Sequence, residues 1–164
     1  MNWKTAKKIR SILLVVAIIT LVVGLYKTND YKKVAAHDPD DIKIEIVSCE
    51  SKYDDRNYYV YMDFEIKNKT KETIDYIAVT TYFKDKNGKS IGTMSSEFGT
   101  PYGNGALNLE KGDKVIESTY LDEYKTSTHM DNMFVELYEN GIEDMEITFE
   151  ITSVRWADDY SYYR

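Results

Sequence analysis

The sequence holds one cysteine, two prolines, two histidines and two tryptophans in 164 residues. Cys49 alone can form neither an intramolecular disulfide nor a cysteine-based zinc site. His37 and His129 are too few and too far apart for a zinc centre. Two prolines and eight glycines exclude a collagen-like or low-complexity chain, and no internal repeat is visible. There is no G-x-S-x-G and no phosphate-binding loop. Asp38-Pro39-Asp40-Asp41 lacks both the glycine and the terminal glutamate of a calcium loop. The acidic run Glu136, Glu139, Glu143, Asp144 and Glu146 reads as solvated surface with at most one weak calcium contact. No carboxylate pair sits in a hydrolytic motif. The expectation is a non-enzyme, with no catalytic residue, metal or cofactor.

Positive charge is outnumbered, 21 Lys and Arg against 28 Asp and Glu, and it is unevenly placed. The chain has a formal net charge of −7, yet its first ten residues carry Lys4, Lys7, Lys8 and Arg10 without an acid. Removing that +4 leaves −11 for the remainder (−7 − 4). So acidic a remainder is repelled by nucleic acid and by anionic headgroups, so no nucleic-acid partner is expected.

What is present begins with Ser11 to Tyr26, an uncharged apolar run. At 1.5 Å per residue it spans roughly 24 Å, a little under a bilayer core. Arg10 can snorkel, and Trp3 and Tyr26 can anchor at the two interfaces. The reading is a cytoplasmic segment at 1–10 and an uncleaved transmembrane anchor at 11–26. A cleaved signal peptide ending near Val34-Ala35-Ala36 is the rival. The basic N-terminus keeps that end in the cytoplasm and puts the C-terminal domain outside the cell membrane. Residues 27–41 form a polar tether, in which Pro39 discourages helix.

The globular part, expected at 42–157, is mainly β. Val60, Met62, Phe64 and Ile66 alternate with polar or aromatic neighbours, and Ile77, Val79, Thr81 and Phe83 do so again. Asp85-Lys86-Asn87-Gly88 is hairpin chemistry. Ile42, Ile44 and Ile46 open a strand whose phase changes at Val47 and Cys49, suggesting a bulge or a strand covered on both sides. Ile91 and Met94 mark a short strand, Phe98 to Gly105 an irregular loop, and Lys114 to Leu121 a further strand. Met130, Met133, Phe134, Leu137 and Tyr138 form one stripe of a short helix at 128–139, capped by Ser127 or Thr128, with Gly141 past its end. A final strand carries Met145, Ile147, Phe149 and Ile151, shifts phase at Thr152-Ser153, and continues its buried row through Val154 and Trp156. Residues 158–164 read as a tail.

Phe64 to Thr70, Ile77 to Lys89 and the Leu109-Glu110-Lys111-Gly112-Asp113 turn together resemble the FxLYD-type immunoglobulin-like domains of bacterial membrane-anchored envelope proteins. The name-giving motif is altered here to Tyr82-Phe83-Lys84-Asp85. The resemblance implies an immunoglobulin-like β-sandwich on a membrane anchor, in which Asn68 to Thr73 crosses between sheets. It brings no catalytic residues. From residues alone, 68–73 is equally a hairpin or an arch.

Two functions fit: an extracytoplasmic binding or interaction module that docks another envelope or membrane protein, or a small-ligand sensor or carrier with a pocket between helix and sheet. Tyrosine, at 15 residues against 5 phenylalanines, offers a candidate surface. Strand alternation turns Tyr59, Tyr61 and Tyr82 away from the core. A hairpin at 68–73 would gather them into one partner-binding strip; an arch would divide them between sheets.

Overall fold

The computed structural model describes residues 37–100, 105–126 and 130–164. The expected anchor at 11–26, most of the tether, His129 and the cap candidates Ser127 and Thr128 lie outside the described residues. Among the described residues, no helix is long and apolar enough to cross a membrane.

Among the described residues there are seven strands: β1 (Ile42–Tyr53), β2 (Asn57–Asn68), β3 (Ile74–Lys84), β4 (Ser90–Gly99), β5 (Lys114–Tyr124), β6 (Glu146–Trp156) and β7 (Ser161–Tyr163), the longer ones built on alternating apolar residues. They pair antiparallel in two sheets, one ordered β1-β2-β5 and the other β4-β3-β6-β7. The core lies between them. Val60, Met62, Phe64 and Ile66 of β2 face Ile77, Val79, Thr81 and Phe83 of β3, and all eight are buried. Met94 and Phe98 of β4 and Val154 and Trp156 of β6 complete it.

Two bulges hold the apolar rows in phase. In β1 the register steps between Ile46 and Ser48, so the extra residue Val47 is exposed and Cys49 returns to the core side opposite Met62. Cys49 is half-buried against the core, and burial pushes its thiol pKa up. In β6 the step falls at Thr152, where Ala78 pairs with Ser153 and Val79 with Ile151. Val154 and Trp156 thereby stay buried, as the sequence pattern implies.

The connection at 68–73 is an arch that moves the chain from the first sheet to the second. Asn68 organises it. Its side chain is fully buried, donates to the carbonyls of Glu72 and Leu109 at 2.8 Å each, and accepts from Thr70 N (2.9 Å) and Thr70 Oγ1 (2.7 Å). Thr70 Oγ1 in turn accepts the Trp156 indole N–H at 3.3 Å. The backbone of Asn68 bonds Asp113 and Gly112 across the turn before β5. Asn68-Lys69-Thr70 matches a glycosylation pattern, but both amide hydrogens of Asn68 are committed inside the fold.

Several boundaries differ from the sequence reading. Residues 158–164 are not a tail: a turn at Asp158-Asp159 sends the chain back as β7, so the domain runs past 157. Phe98 is not in a loop but closes β4, a ten-residue strand, and is buried. Pro39 starts a 3-10 turn (Pro39–Asp41) rather than preventing one, since a first helical position needs no N–H. The helix α1 (Asn132–Asn140) starts four residues later than expected, because Asp131 caps the amides of Met133 and Phe134. Met133, Phe134 and Leu137 bury its stripe, and Gly141 ends it as anticipated. A side chain at Gly92 would meet Met133 Sδ at 2.8 Å, so the glycine lets the helix sit close to β4.

Asn68→Ala removes four satisfied bonds and strands their partners, and should cost about 3 kcal/mol in urea unfolding. Gly88 and Gly99 both have positive φ, but only at Gly99 would a Cβ strike backbone, at 2.3 Å from Asp75 O. Gly88→Ala should therefore cost about 1 kcal/mol, and Gly99→Ala clearly more in the same measurement.

Candidate functional site: an aromatic face on the three-stranded sheet

Alternation along β2 turns Tyr59 and Tyr61 outward, and the same rule along β5 turns out Ile116, Ser118, Tyr120, Asp122 and Tyr124. Register then joins them, since Tyr61 lies opposite Tyr120. The three rings form a cluster: Tyr59 stacks on Tyr61 at 5.8 Å between centroids, and Tyr120 sits 6.0 Å from Tyr59 and 5.7 Å from Tyr61. Tyr120 and Ile116 are each 56% exposed, Tyr124 64%, and Val47 at the bulge 46%. Large apolar side chains left this open are notable chiefly because they share one face.

A polar frame surrounds the rings. Lys52 lies 5.1 Å from the Tyr61 ring centroid and pairs with Glu50 at 3.1 Å. Tyr59 donates its phenol to Asp54 at 3.2 Å. Desolvation first, and then that carboxylate, hold the Tyr59 phenol pKa above its usual value. Asp54 accepts the Arg56 and Asn57 amides at 2.7 Å each, and those bonds keep its carboxyl below the ordinary range. Next along the sheet, Asp63 is gripped from both neighbouring strands, by Ser118 Oγ at 2.6 Å and Ser48 Oγ at 2.8 Å. These two hydroxyls, Ser118 the stronger, lower its pKa. The Glu65–Lys114 ion pair closes the face beyond.

Of the three tyrosines named from sequence, the structure brings together two. Tyr82 lies on the other sheet, where it donates to Glu150, itself 3.2 Å from Arg164. The single strip of Tyr59, Tyr61 and Tyr82 is thus not formed, because 68–73 is an arch. Tyr120, Ile116 and Val47 take the vacant places. Their signal was the outward phase of 114–124, but only the β2–β5 register shows that Tyr120 meets Tyr61.

Elsewhere the side chains suggest little chemistry. Among the described residues, no group of three His, Cys, Asp or Glu is placed to hold a metal ion. The acidic run divides between a cleft and an ion pair. Glu136, Glu143 and Asp144 line an open cleft with Asp85 and Asn87, while Glu146 pairs with Lys84. Between helix and sheet the space is filled by Met133, Phe134 and Leu137. Open clefts flank the helix, one of about 390 Å³ against the β3–β4 hairpin, lined by Asp85, Asn87, Ile91, Glu136 and Met145, and one of about 220 Å³ beside Tyr58 and Tyr138.

No protein-family model matches the chain, and no curated protein matches it. Among solved structures, a target of the Northeast Structural Genomics Consortium overlaps at a TM-score of 0.36 and 10% identity, covering 74% of this chain and 75% of that one. Bacteroides uniformis β-glucuronidase 2 overlaps at 0.30 and 12% identity, covering 74% of this chain but 12% of the enzyme. Kluyveromyces marxianus β-glucosidase overlaps at 0.27 and 13% identity, covering 75% and 14%. Overlaps this slight say nothing about activity.

Because Asp63 is held below the ordinary aspartate value, its contribution to stability is present above about pH 4 and is lost as pH falls through its folded pKa. Removing both hydroxyls, as Ser48→Ala with Ser118→Ala, should raise the Asp63 titration midpoint toward that ordinary value. Carboxyl-carbon NMR across pH 2 to 6 reads this directly; an unmoved midpoint would show that the serines do not set it.

Proposed function

We propose that the chain is a membrane-anchored, extracytoplasmic interaction module of the bacterial cell envelope, without catalysis, that docks a neighbouring protein through the outer face of its three-stranded sheet. The observation that carries this reading is the Tyr59–Tyr61–Tyr120 cluster with Ile116 and Tyr124 exposed around it. Tyrosines combine apolar area with a hydrogen-bonding tip, and interface cores are enriched in them while charged residues form the rim. Lys52, Glu50, Asp54 and Asp63 supply such a rim here.

The anchor, with its N-terminus cytoplasmic, rests on the basic start and the apolar run at 11–26. The immunoglobulin-like assignment is supported by strand order, three strands β1-β2-β5 against four in the order β4-β3-β6-β7, joined by an arch after β2, while the FxLYD kinship rests on the sequence motifs alone. The carrier reading has less support: Met133, Phe134 and Leu137 fill the space beneath the helix, and the clefts on its flanks lie open to solvent.

A photo-crosslinking amino acid placed at position 120 in intact cells should capture a defined partner, and the same group at position 82 should not. Tyr59→Ser with Tyr61→Ser and Tyr120→Ser should weaken that association by about 30-fold or more, as expected of a hot-spot cluster, with the fold intact by circular dichroism. Equal capture from position 82 would overturn this choice of face. External protease on wall-stripped cells should digest the domain and spare an N-terminal tag; release of a shortened soluble protein would overturn the anchor.

A further inference from the structure

Strand β5 ends the first sheet with a bare edge. Its inner side pairs with β2 at every residue from Lys114 to Tyr124, without a register step. Among the described residues, no backbone bond reaches its outer side, and none of its own residues is buried. Proteins ordinarily blunt such an edge with a bulge, a glycine or a short strand. The other marginal strands are treated so: Val47 bulges β1, Gly92 weakens β4 where the helix packs on it, and β7 is three residues long. β5 has none of these devices. It sets Ile116 and Tyr120, each 56% exposed, on its solvent side, and the half-buried Val115 and Leu121 on its core side.

The sequence of β5 is complementary to itself in one register. Two copies related by a two-fold axis normal to the sheet pair antiparallel, and opposed residues share a face, so each register is centred on one residue. Centred on Ser118, Ile116 lies opposite Tyr120 and Val115 opposite Leu121, twice each, so apolar meets apolar on both faces. Lys114 lies opposite Asp122, also twice, and Glu117 opposite Thr119. Aromatic, β-branched and opposite-charge pairs stabilise a sheet, and like charges directly opposed destabilise it. The neighbouring registers fail by that rule. Centred on Glu117, two glutamates meet; centred on Tyr120, Glu117 meets Glu123 twice. Centred on Thr119, Glu123 is set against Val115, Asp122 against Ile116 and Glu117 against Leu121. Centres nearer either end shorten the pairing and lose both apolar pairs.

We infer that β5 pairs with β5 of a second copy of this chain, two-fold about Ser118, which joins two three-stranded sheets into one. Ser118 suits the axis, being short and with its hydroxyl already turned aside to Asp63. Lys114 is held by Glu65 yet remains 60% exposed, and an ammonium has hydrogens for a second carboxylate. The pairing brings the tyrosine clusters of both copies onto one surface. It rests on the edge alone and holds whether or not that surface docks another protein.

The test uses the full 164-residue chain in neutral detergent, with Cys49→Ala so that an introduced cysteine stands alone. Under mild oxidation Ser118→Cys should link two chains, because residues opposed at the axis lie about 4.5 to 5.5 Å apart, within the span of a disulfide. Tyr120→Cys should not, since the register sets it four residues along from its own copy, roughly 13 Å away. Adding Ile116→Cys to Tyr120→Cys should bring the link back. In the Ser118→Cys chain, Lys114→Glu should cut the linked fraction about three- to tenfold, and adding Asp122→Lys should recover it. Both of those variants lose the Glu65 pair alike, so the recovery reads contact between copies. The inference is overturned if Ser118→Cys does not link, if Tyr120→Cys links by itself, or if Asp122→Lys brings no recovery. Two chains held together only through the anchor or the tyrosine face would show a doubled mass without the link at 118, and would overturn it too. Capture of a different protein from position 120, with no link at 118, would overturn the pairing and leave the docking face standing.

Discussion

Asn68 is the residue on which the two-sheet arrangement depends. A strand that ended in a hairpin at 68–73 would keep β2 and β3 in one sheet. Instead the amide of Asn68 satisfies the carbonyls of Glu72 and Leu109, and its oxygen takes both polar hydrogens offered by Thr70. Four bonds made in a fully buried place hold the arch in one shape, since any other shape would leave those groups unpaired. Trp156 joins through Thr70 Oγ1, which ties the end of β6 to the start of the crossing. Ile74 and Leu109 exchange both backbone bonds beside it, drawing in the chain that leads to β5.

Once the arch divides the strands, the two outer faces acquire different chemistry. The first sheet pairs β2 with β5 and so gathers Tyr59, Tyr61 and Tyr120, with Asp63 gripped by serines on either side. The second sheet places Tyr82 beside Glu150 and Arg164, where its phenol is spent on a carboxylate. That carboxylate bond is the main cause of the raised Tyr82 pKa. Tyr82 is thus a member of a polar row, and the aromatic cluster belongs to the first sheet alone.

The helix acts at one end of the sandwich. Its buried stripe of Met133, Phe134 and Leu137 closes the core, Gly92 makes room for Met133, and Ser51 Oγ donates to the Tyr138 carbonyl from β1. Tyr138 packs against both Phe134 and Tyr58, with ring centroids 5.9 and 5.2 Å apart. Stiff aromatic contacts of this kind fix the helix against the first sheet.

Much of this was legible in the residues. The buried rows of β2 and β3, the bulge at Val47, the phase shift at Thr152, the Asn87-Gly88 hairpin and the helical stripe all follow from local periodicity and turn chemistry, which act over a few residues. The outward phase of Tyr59, Tyr61 and Tyr82 follows from the same rule. Which of those tyrosines meet was decided only in three dimensions. Tyr61 and Tyr120 are neighbours because β5, arriving after a long excursion through the other sheet, pairs with β2. Residues 161–163 pair as a strand for a similar reason: two tyrosines favour strand, but three residues are too few to hold an extended form until β6 offers them an edge. Asn68 carries the same lesson. Its side chain reads locally as a turn residue, but whether that turn is a hairpin or an arch depends on Leu109 and Trp156, and only the folded chain brings them to it.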